Sequence, residues 1–431
     1  MKKLFFLLAS ILLWASCSNQ DEPVNQAPEA AESQTASRYL SPSEAVKRAS
    51  EAYENMFGKG SRSTLSGRAY LYNASTGSRS FGTDSVLYVV NFDEGGFAVV
   101  PAYRYDDTEA YAIGEHSSIG LTPNPAAEAY MDMLYDRAFN LRDSIDLTQK
   151  FDSTLFGPGL PPGWQKGTPP YSDYWFHTYR SDSIYAKTVF TKWGQDYPYN
   201  KFCPVWGYDS NGQPIHTLAG CVAVAIGQIC GYHRIPANSI DGYRLDWSKM
   251  LAKPKIYGLE EKYQDQIAHL LRQIGIRASL TYGDPSNEGT GGYVSNYYPA
   301  IVELGFSKAK HITNLSTCID YVKTTGPCII RGSGHCWVID GIREVINDRY
   351  RALPSDLENE IPYTLNRKYY IQCNWGWEGE WDGLYLAQTV QYSDCALTAS
   401  GKNEWKITDE FFKAGSIGTD ASKLTFIINF K

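Results

Sequence analysis

The stretch that decides the fold is Ala219-Gly220-Cys221-Val222-Ala223-Val224-Ala225-Ile226-Gly227-Gln228. A glycine-containing loop enters a helix at Cys221, and the small residues Ala223, Ala225 and Gly227 let that helix pack closely against a neighbour. The first N–H groups of a helix are unpaired and its N-terminus is partially positive, so a thiol placed there loses its proton more readily. The run predicts either a reactive cysteine at a helix N-terminus or a buried structural cysteine, which is the commoner fate of cysteine.

A second motif, Gly334-His335-Cys336-Trp337-Val338-Ile339-Asp340-Gly341, places a histidine at the start of an apolar strand that ends in an Asp-Gly turn signal. Beside glycines, such a histidine can project into a cleft. There it can take the proton of a thiol and later protonate a leaving amine. For a single histidine, a structural role is the alternative interpretation.

Two further motifs supply candidate partners for this pair. Asn374, within Tyr370-Ile371-Gln372-Cys373-Asn374-Trp375-Gly376-Trp377, can accept the second imidazole N–H, and Trp375 can shield that bond from water. Gln195 lies 26 residues before Cys221 (221 minus 195), and its amide with the Cys221 backbone N–H can form an oxyanion hole. A strand end with aromatic packing is the alternative for the first motif.

The order Gln, Cys, His, Asn and its local contexts resemble the streptopain family of secreted bacterial cysteine peptidases. The matching text is Trp193-Gly194-Gln195 with Pro198-Tyr199-Asn200, Ala219-Gly220-Cys221-Val222-Ala223, Gly334-His335 with Val338-Ile339-Asp340-Gly341, and Asn374-Trp375-Gly376-Trp377. The resemblance implies an α+β, papain-like catalytic domain that acts on protein or peptide substrates and is inhibited by its own N-terminal prodomain until cleavage. It also implies catalytic roles for Cys221, His335, Asn374 and Gln195, and a substrate cleft that includes Gly220, Tyr282, Gly334 and Trp375.

The chain departs from the family pattern at a few positions. Pro101-Ala102-Tyr103 replaces a small or acidic stretch in the prodomain, which bears on the inhibitory contact. Cys336 and Cys373 stand where the family more often has other residues; we interpret them as packing variants, although a thiol beside His335 can make the site redox-sensitive. His216 lies five residues before Cys221, but we reject it as the base because papain-like geometry takes the base from a strand across the cleft.

The organisation of the chain follows from composition and periodicity. The predicted parts are a signal peptide at 1–17, a flexible tether at 18–40, an α+β domain at 41–156, a linker at 157–184 and a second domain at 185–431. The family resemblance implies that the domain at 41–156 is the inhibitory prodomain, that the linker contains the activation site and that 185–431 is the catalytic domain. The prodomain is expected to begin with a helix capped by Ser41 and to contain a hairpin formed by 86–92 and 97–100.

The N-terminus carries a targeting signal. Lys2 and Lys3 precede an apolar stretch from Leu4 to Trp14 that is too short to span a bilayer as a mature helix. Because Ala15 and Ser16 precede Cys17 as in a bacterial lipobox, we expect Cys17 to be acylated. The mature protein would then be anchored to the membrane, at the outer-membrane surface or extracellular. A plain signal peptide with an incidental cysteine is the alternative.

Charge and cysteine usage narrow the remaining classes. The net charge is −7, so we expect no nucleic-acid partner. The nine cysteines form no paired CxxC knuckle, and we expect neither a structural zinc site nor any cofactor or metal. Two other functions remain open: a cell-wall peptide amidase, which usually has Asp before and Ser after its nucleophile, and a peptidase-like surface protein that binds without turnover.

Overall fold

The computed structural model describes residues 38–58, 65–72, 86–120, 124–148, 164–166, 175–186, 188–285, 289–332, 334–352, 361–393, 404–410, 425–428 and 430. The described residues cluster as one compact unit. The predicted signal peptide, Cys17 and nearly all of the predicted tether lie outside the described residues. Within the described ranges, no helix is long and apolar enough to cross a membrane.

Helices and strands are mixed along the chain, which confirms the predicted α+β class. The helices are α1 (Pro42–Phe57), α2 (Pro125–Thr148), α3 (Cys221–His233), α4 (Trp247–Met250), α5 (Glu261–Arg277), α6 (Val294–Glu303) and α7 (Leu315–Thr324). The strands are β1 (Gly67–Leu71), β2 (Leu87–Phe92), β3 (Phe97–Pro101), β4 (Ala112–Gly114), β5 (Trp164–Lys166), β6 (Trp175–Ala186), β7 (Val205–Tyr208), β8 (Pro214–His216), β9 (Ser239–Ile240), β10 (Tyr243–Arg244), β11 (Thr281–Tyr282), β12 (Thr290–Gly291), β13 (Lys310–Ile312), β14 (Cys328–Gly332), β15 (His335–Ala352), β16 (Ile361–Asn374), β17 (Gly383–Ser393), β18 (Glu404–Glu410) and β19 (Thr425–Ile428).

The predicted start of the N-terminal region is confirmed. Ser41 caps α1 in a reciprocal capping box with Glu44, and Pro42 occupies the first turn. The predicted hairpin forms from β2 and β3, and Gly96 in its turn has φ +97°. A Cβ atom at Gly96 would lie 2.8 Å from the carbonyl oxygen of Glu115, so glycine is required there for both conformation and space.

One large sheet runs from the N-terminal region into the region that carries the four motifs. Its strand order is β1-β2-β3-β4-β17-β16-β15-β14-β19-β13, with β6 and β18 attached to β15 and β17. The junction is the antiparallel pair of β4 and β17, in which Ile113 lies opposite Leu384 and Ala112 opposite Tyr385. The N-terminal region therefore extends the same sheet.

Strand β15 is longer than predicted. The Asp340-Gly341 pair does not end the strand, because it forms a bulge between Ile339 and Gly341 and pairing with β16 continues beyond it. An Asp-Gly pair is compatible with either a turn or a bulge, and the sequence alone did not separate them. The bulge aims Asp340 inward, where its Oδ2 accepts the N–H of Val189 at 2.9 Å.

Residues 175–184, assigned to the linker by composition, belong to β6. This strand pairs with β15 from Gly341 to Ala352, along the edge that β14 occupies from His335 to Ile339. Without β6 the second half of that edge would expose unpaired N–H and C=O groups. Of the predicted linker before residue 175, only β5 lies among the described residues.

Helix α3 is the centre of the layer that holds Cys221. Its residues from Cys221 to Gly231 are all buried, between the sheet strands β14 and β15 on one side and α5 on the other. A Cβ atom at Gly227 would lie 2.6 Å from Leu271 of α5. The small residues of the opening motif therefore permit the close packing that was predicted for them.

Candidate active site

Cys221 is the first residue of α3. The preceding Gly220 has φ +94°, and a Cβ atom there would lie 2.8 Å from the Thr290 side chain. Both the conformation and the space require glycine, so this residue fixes the point at which the helix begins. The Cys221 side chain is 8% exposed. The thiol therefore lies just below the surface at the positive end of the helix.

His335 is the first residue of β15, and its imidazole is hydrogen-bonded to the Cys221 side chain. Burial would raise the pKa of the Cys221 thiol. The charge and hydrogen bond of His335, with the backbone N–H groups of Cys336 and Val222, outweigh burial, and the pKa of Cys221 is lowered. Burial would lower the pKa of His335, but the Cys221 thiolate and the Trp375 carbonyl raise it. These shifts favour a thiolate–imidazolium pair.

The second imidazole nitrogen is held by the main chain. His335 Nε2 lies 3.1 Å from the carbonyl oxygen of Trp375, and because a carbonyl only accepts, Nε2 carries the proton. This leaves Nδ1 for the sulfur of Cys221. The Trp375 backbone is held in turn, because its N–H donates to Asp382 Oδ1 at 2.9 Å and Asp382 Oδ2 accepts from Lys192 Nζ at 2.6 Å.

The prediction that Asn374 accepts the imidazole N–H differs from this arrangement. Asn374 Oδ1 accepts from Gln228 Nε2 at 3.0 Å and from the N–H of Gly376 at 3.3 Å, and its Nδ2 donates to the carbonyl of Thr191 at 2.8 Å. The side chain thus ties α3 to the segment before it and to the end of β16. Asn374 therefore stabilises the backbone around the site, and the acceptor that orients the His335 imidazole is the carbonyl of Trp375.

Trp375 contributes a buried ring. The indole has no exposed surface, stacks on Trp337 with centroids 4.7 Å apart, and lies 6.4 Å from the His335 ring. The ring packs beside the imidazole, and its role in shielding His335 from water stays a prediction. A fully buried ring offers no surface to a substrate in this structure. Its substrate-binding assignment therefore does not fit this state of the molecule.

The other predicted cleft residues fall into two groups. Gly220 contacts Thr290, and Gly334 is exposed with φ +74° beside His335, so both lie at the site. Tyr282 packs against α5, where a Cβ atom on Gly275 would meet its hydroxyl, and the Arg272 guanidinium lies 4.8 Å from its ring centroid. The structure gives Tyr282 a packing role on α5.

Gln195 lies beside the loop that enters α3. Its backbone carbonyl accepts the N–H of Ala219 at 3.0 Å, two residues before the nucleophile, and its side chain is 8% exposed. Its predicted place near Cys221 agrees with the structure, and its role as an oxyanion donor stays a prediction. His216 is occupied elsewhere, because its Nδ1 lies 2.7 Å from the carbonyl oxygen of Cys203.

Sequence reasoning missed three contributors to the site. Thr290 donates its hydroxyl to the Leu218 carbonyl at 2.7 Å and thereby fixes the loop before Cys221. Tyr297 is buried beside Cys221, and burial followed by the negative charges of Cys336 and Cys221 raises its pKa. Asp382 anchors the Trp375 backbone. A threonine in a short strand, a tyrosine in a helix and an aspartate in a loop carry no local signal for these roles.

Part of the chain is similar to a known family of peptidases. Residues 193–385 match the model of the Peptidase C10 family. Streptopains of Streptococcus pyogenes serotypes M28 and M1 are 25% identical to the chain over 244 and 247 residues, which is 47% of this chain and 54% of each relative. The match thus spans about half the length of these curated relatives. The segment that carries Cys221 and His335 is therefore similar to the Peptidase C10 family.

A solved structure extends the likeness of fold beyond the C10 match. The prointerpain A fragment of Prevotella intermedia superposes with a TM-score of 0.51 at 21% identity, covering 85% of this chain and 98% of that one. At this identity the likeness concerns the fold alone. It includes much of the N-terminal region as well as the C10 region.

Replacing His335 with Ala tests the Cys221–His335 ion pair. Without the imidazolium, burial raises the pKa of Cys221, so alkylation by iodoacetamide should slow by roughly tenfold or more near pH 7. Peptide mass spectrometry reports the alkylation rate of Cys221 at each pH. His216→Ala is the matched control and should leave the profile unchanged. A profile that moves with His216→Ala and not with His335→Ala would assign the base to His216.

Replacing Asn374 with Ala tests whether this residue stabilises the fold or orients the His335 imidazole. The Gln228 amide and the Thr191 carbonyl lose a buried partner, so the free energy of unfolding should fall by roughly 1–3 kcal/mol in urea denaturation. The pH profile of Cys221 alkylation should stay in place, because the Trp375 carbonyl still holds His335. Asn238→Ala, at an exposed position, is the control for stability. A profile that shifts as it does in His335→Ala would restore the direct role of Asn374.

Proposed function

We propose that this chain is the precursor of a cysteine endopeptidase that hydrolyses peptide bonds of protein substrates. The observation that carries the proposal is the hydrogen-bonded Cys221–His335 pair, with its lowered thiol pKa, at the N-terminus of α3. A buried structural cysteine would have a raised pKa, as burial gives to Cys230 on the same helix.

The geometry supports a nucleophilic mechanism. The Cys221 thiolate attacks the carbonyl carbon of the scissile peptide bond, and the resulting oxyanion is stabilised by the Cys221 backbone N–H and the Gln195 amide. His335, protonated in the pair, donates its Nδ1 proton to the leaving amine. A water molecule, deprotonated by His335, then attacks the acyl-enzyme carbonyl carbon, the C–S bond breaks, and the carboxylic product and the thiolate–imidazolium pair are released. No step requires a metal or cofactor in this scheme.

The N-terminal region is proposed to be an intramolecular inhibitor. Three contacts support this: the β4–β17 pairing, the Ser117 hydroxyl that donates to the Asp382 carbonyl, and the Tyr130 ring 6.2 Å from Trp375. All three reach the segments that hold His335 in place. Activation is proposed to cut the chain within residues 157–188, between this region and the nucleophile.

An activity assay on the full-length chain tests the proposal. Hydrolysis of denatured casein should fall by a factor on the order of 10³ or more in Cys221→Ala, while Cys230→Ala, on the same helix, should keep activity. N-terminal sequencing should place the mature terminus within 157–188. If the Cys221→Ala precursor stays intact under the same conditions, maturation is autocatalytic. Labelling of Cys221 by a thiol-directed epoxide provides an independent measurement.

Other outcomes of the assay identify the competing functions. Cleavage of cell-wall peptides without cleavage of casein would indicate an amidase. Absence of both activities and of epoxide labelling, after the N-terminal region has been removed, would leave a surface protein that binds without turnover.

We further propose that the precursor is exported and anchored to a membrane through an acyl chain on Cys17, on the basis of the Ala15-Ser16-Cys17 motif. Cys17→Ser should move the protein from the membrane fraction to the soluble extracellular or periplasmic fraction, because one signal for anchoring is lost. Ser16→Ala keeps a small residue before the cysteine and serves as the control. Continued membrane association of Cys17→Ser would refute the anchor.

A further inference from the structure

Two cysteines outside the catalytic site face each other in the core. Cys318 on α7 and Cys328 at the start of β14 have their sulfur atoms 3.0 Å apart, and neither side chain has exposed surface. A covalent S–S bond measures about 2.04 Å, so a movement of roughly 1 Å separates this contact from a bond. The mechanism proposed above uses neither thiol.

The chain path brings these two residues together by a short connection. Helix α7 ends at Thr324, and Gly326-Pro327 leads directly into β14 at Cys328. Cys318 lies on the buried side of α7 with Leu315, Ile319 and Val322, so its thiol points toward the sheet. The contact therefore joins a helix to the strand that follows it.

The described structure offers Cys328 no comparable second partner. Cys328 lies opposite Ile339 on β15, and Ile339 lies opposite Cys373 on β16, so Cys328 and Cys373 are two strand spacings apart. Two spacings amount to roughly 10 Å, whereas the Cα atoms of a disulfide lie about 4.4–6.8 Å apart. Cys230 belongs to the separate hydrophobic cluster around α3.

We propose that Cys318 and Cys328 form a disulfide bond when the chain folds in an oxidising compartment. The two thiols together lose two protons and two electrons, and a disulfide reagent, either oxidised glutathione or a thiol–disulfide oxidoreductase, accepts them and becomes two thiols. One cysteine thiolate attacks the reagent and releases the first thiol. The other cysteine then attacks the mixed disulfide, releases the second thiol and closes the S–S bond.

Burial determines when this exchange takes place. A thiol with no exposed surface cannot meet a bulky disulfide reagent, and burial followed by the neighbouring Cys328 thiol raises the pKa of Cys318 well above its ordinary value. The bond therefore forms while the chain folds and is afterwards protected from reductants. Which two cysteines form the bond does not depend on peptidase activity. That the chain folds in an oxidising compartment, however, rests on the export proposed above.

The bond would fasten the strand that leads to the catalytic histidine. Strand β14 pairs with β15 through to Gly332, which lies opposite His335. Closing the short loop between α7 and β14 restricts the unfolded chain, so the oxidised form is the more stable one.

The test uses the full-length Cys221→Ala chain, so that the reactive thiol does not compete and the precursor is not degraded. The chain is exported to the oxidising periplasm of an expression host, denatured without reductant, alkylated and digested. Mass spectrometry should find the Cys318 and Cys328 peptides linked and two hydrogen atoms lighter than their sum. Material refolded in buffers with defined ratios of oxidised and reduced glutathione, which does not depend on export, should give the same linked peptide.

Matched variants complete the experiment. Cys318→Ser should abolish the linked peptide and the gain of a few degrees in Tm that oxidation gives, whereas Cys230→Ser should retain both. Alkylation of both Cys318 and Cys328 in the refolded, oxidised chain would overturn the proposal, and so would linkage of Cys328 to Cys373. If the linked peptide were found after refolding but the exported protein kept both thiols free, the bond would be refuted for the protein in the cell.

Discussion

The candidate active site depends on the charge pair formed by Cys221 and His335, and burial disfavours both of these charges. Burial alone would raise the pKa of Cys221 and lower that of His335. Both charges persist because each attracts the other and because each group is hydrogen-bonded in its charged form. The thiolate receives backbone N–H groups from Val222 and Cys336, and the imidazolium donates to the Trp375 carbonyl. Two backbone boundaries set these bonds, the first residue of α3 and the first residue of β15, so the fold must place a helix start against a strand start.

The main chain therefore sets the positions of the Cys221 thiolate and the His335 imidazolium. The left-handed conformation of Gly220 fixes where α3 begins, and the pairing of β14 with β15 fixes where His335 stands. The acceptor for the imidazole is likewise a main-chain group, which Asp382 holds through the Trp375 N–H. Main-chain acceptors do not change rotamer, so an imidazole held in this way is more narrowly oriented than one held by a flexible amide.

Sequence patterns predicted the parts of this site that local chemistry determines. The cap at Ser41, the β2–β3 hairpin and the helix beginning at Cys221 all follow from residue types that favour one backbone conformation. The acceptor for His335 was assigned to Asn374 and belongs to Trp375, because a carbonyl is present in every residue and leaves no sequence signature. The bulge at Asp340 and the strand β6 depend on which partner lies alongside, and only the tertiary structure supplies that information.

Cleavage between the two regions would not by itself release the N-terminal region from the proposed enzyme. A cut within 157–188 leaves β4 hydrogen-bonded to β17 and the Tyr130 ring packed against Trp375, with its hydroxyl on the Leu386 carbonyl at 2.8 Å. Dissociation must break this strand pair and expose the buried aromatic surface of Trp375 and Tyr385, which costs free energy in water. Since the same Trp375 supplies the acceptor for His335, loss of the N-terminal region would expose the residue whose carbonyl orients the imidazole.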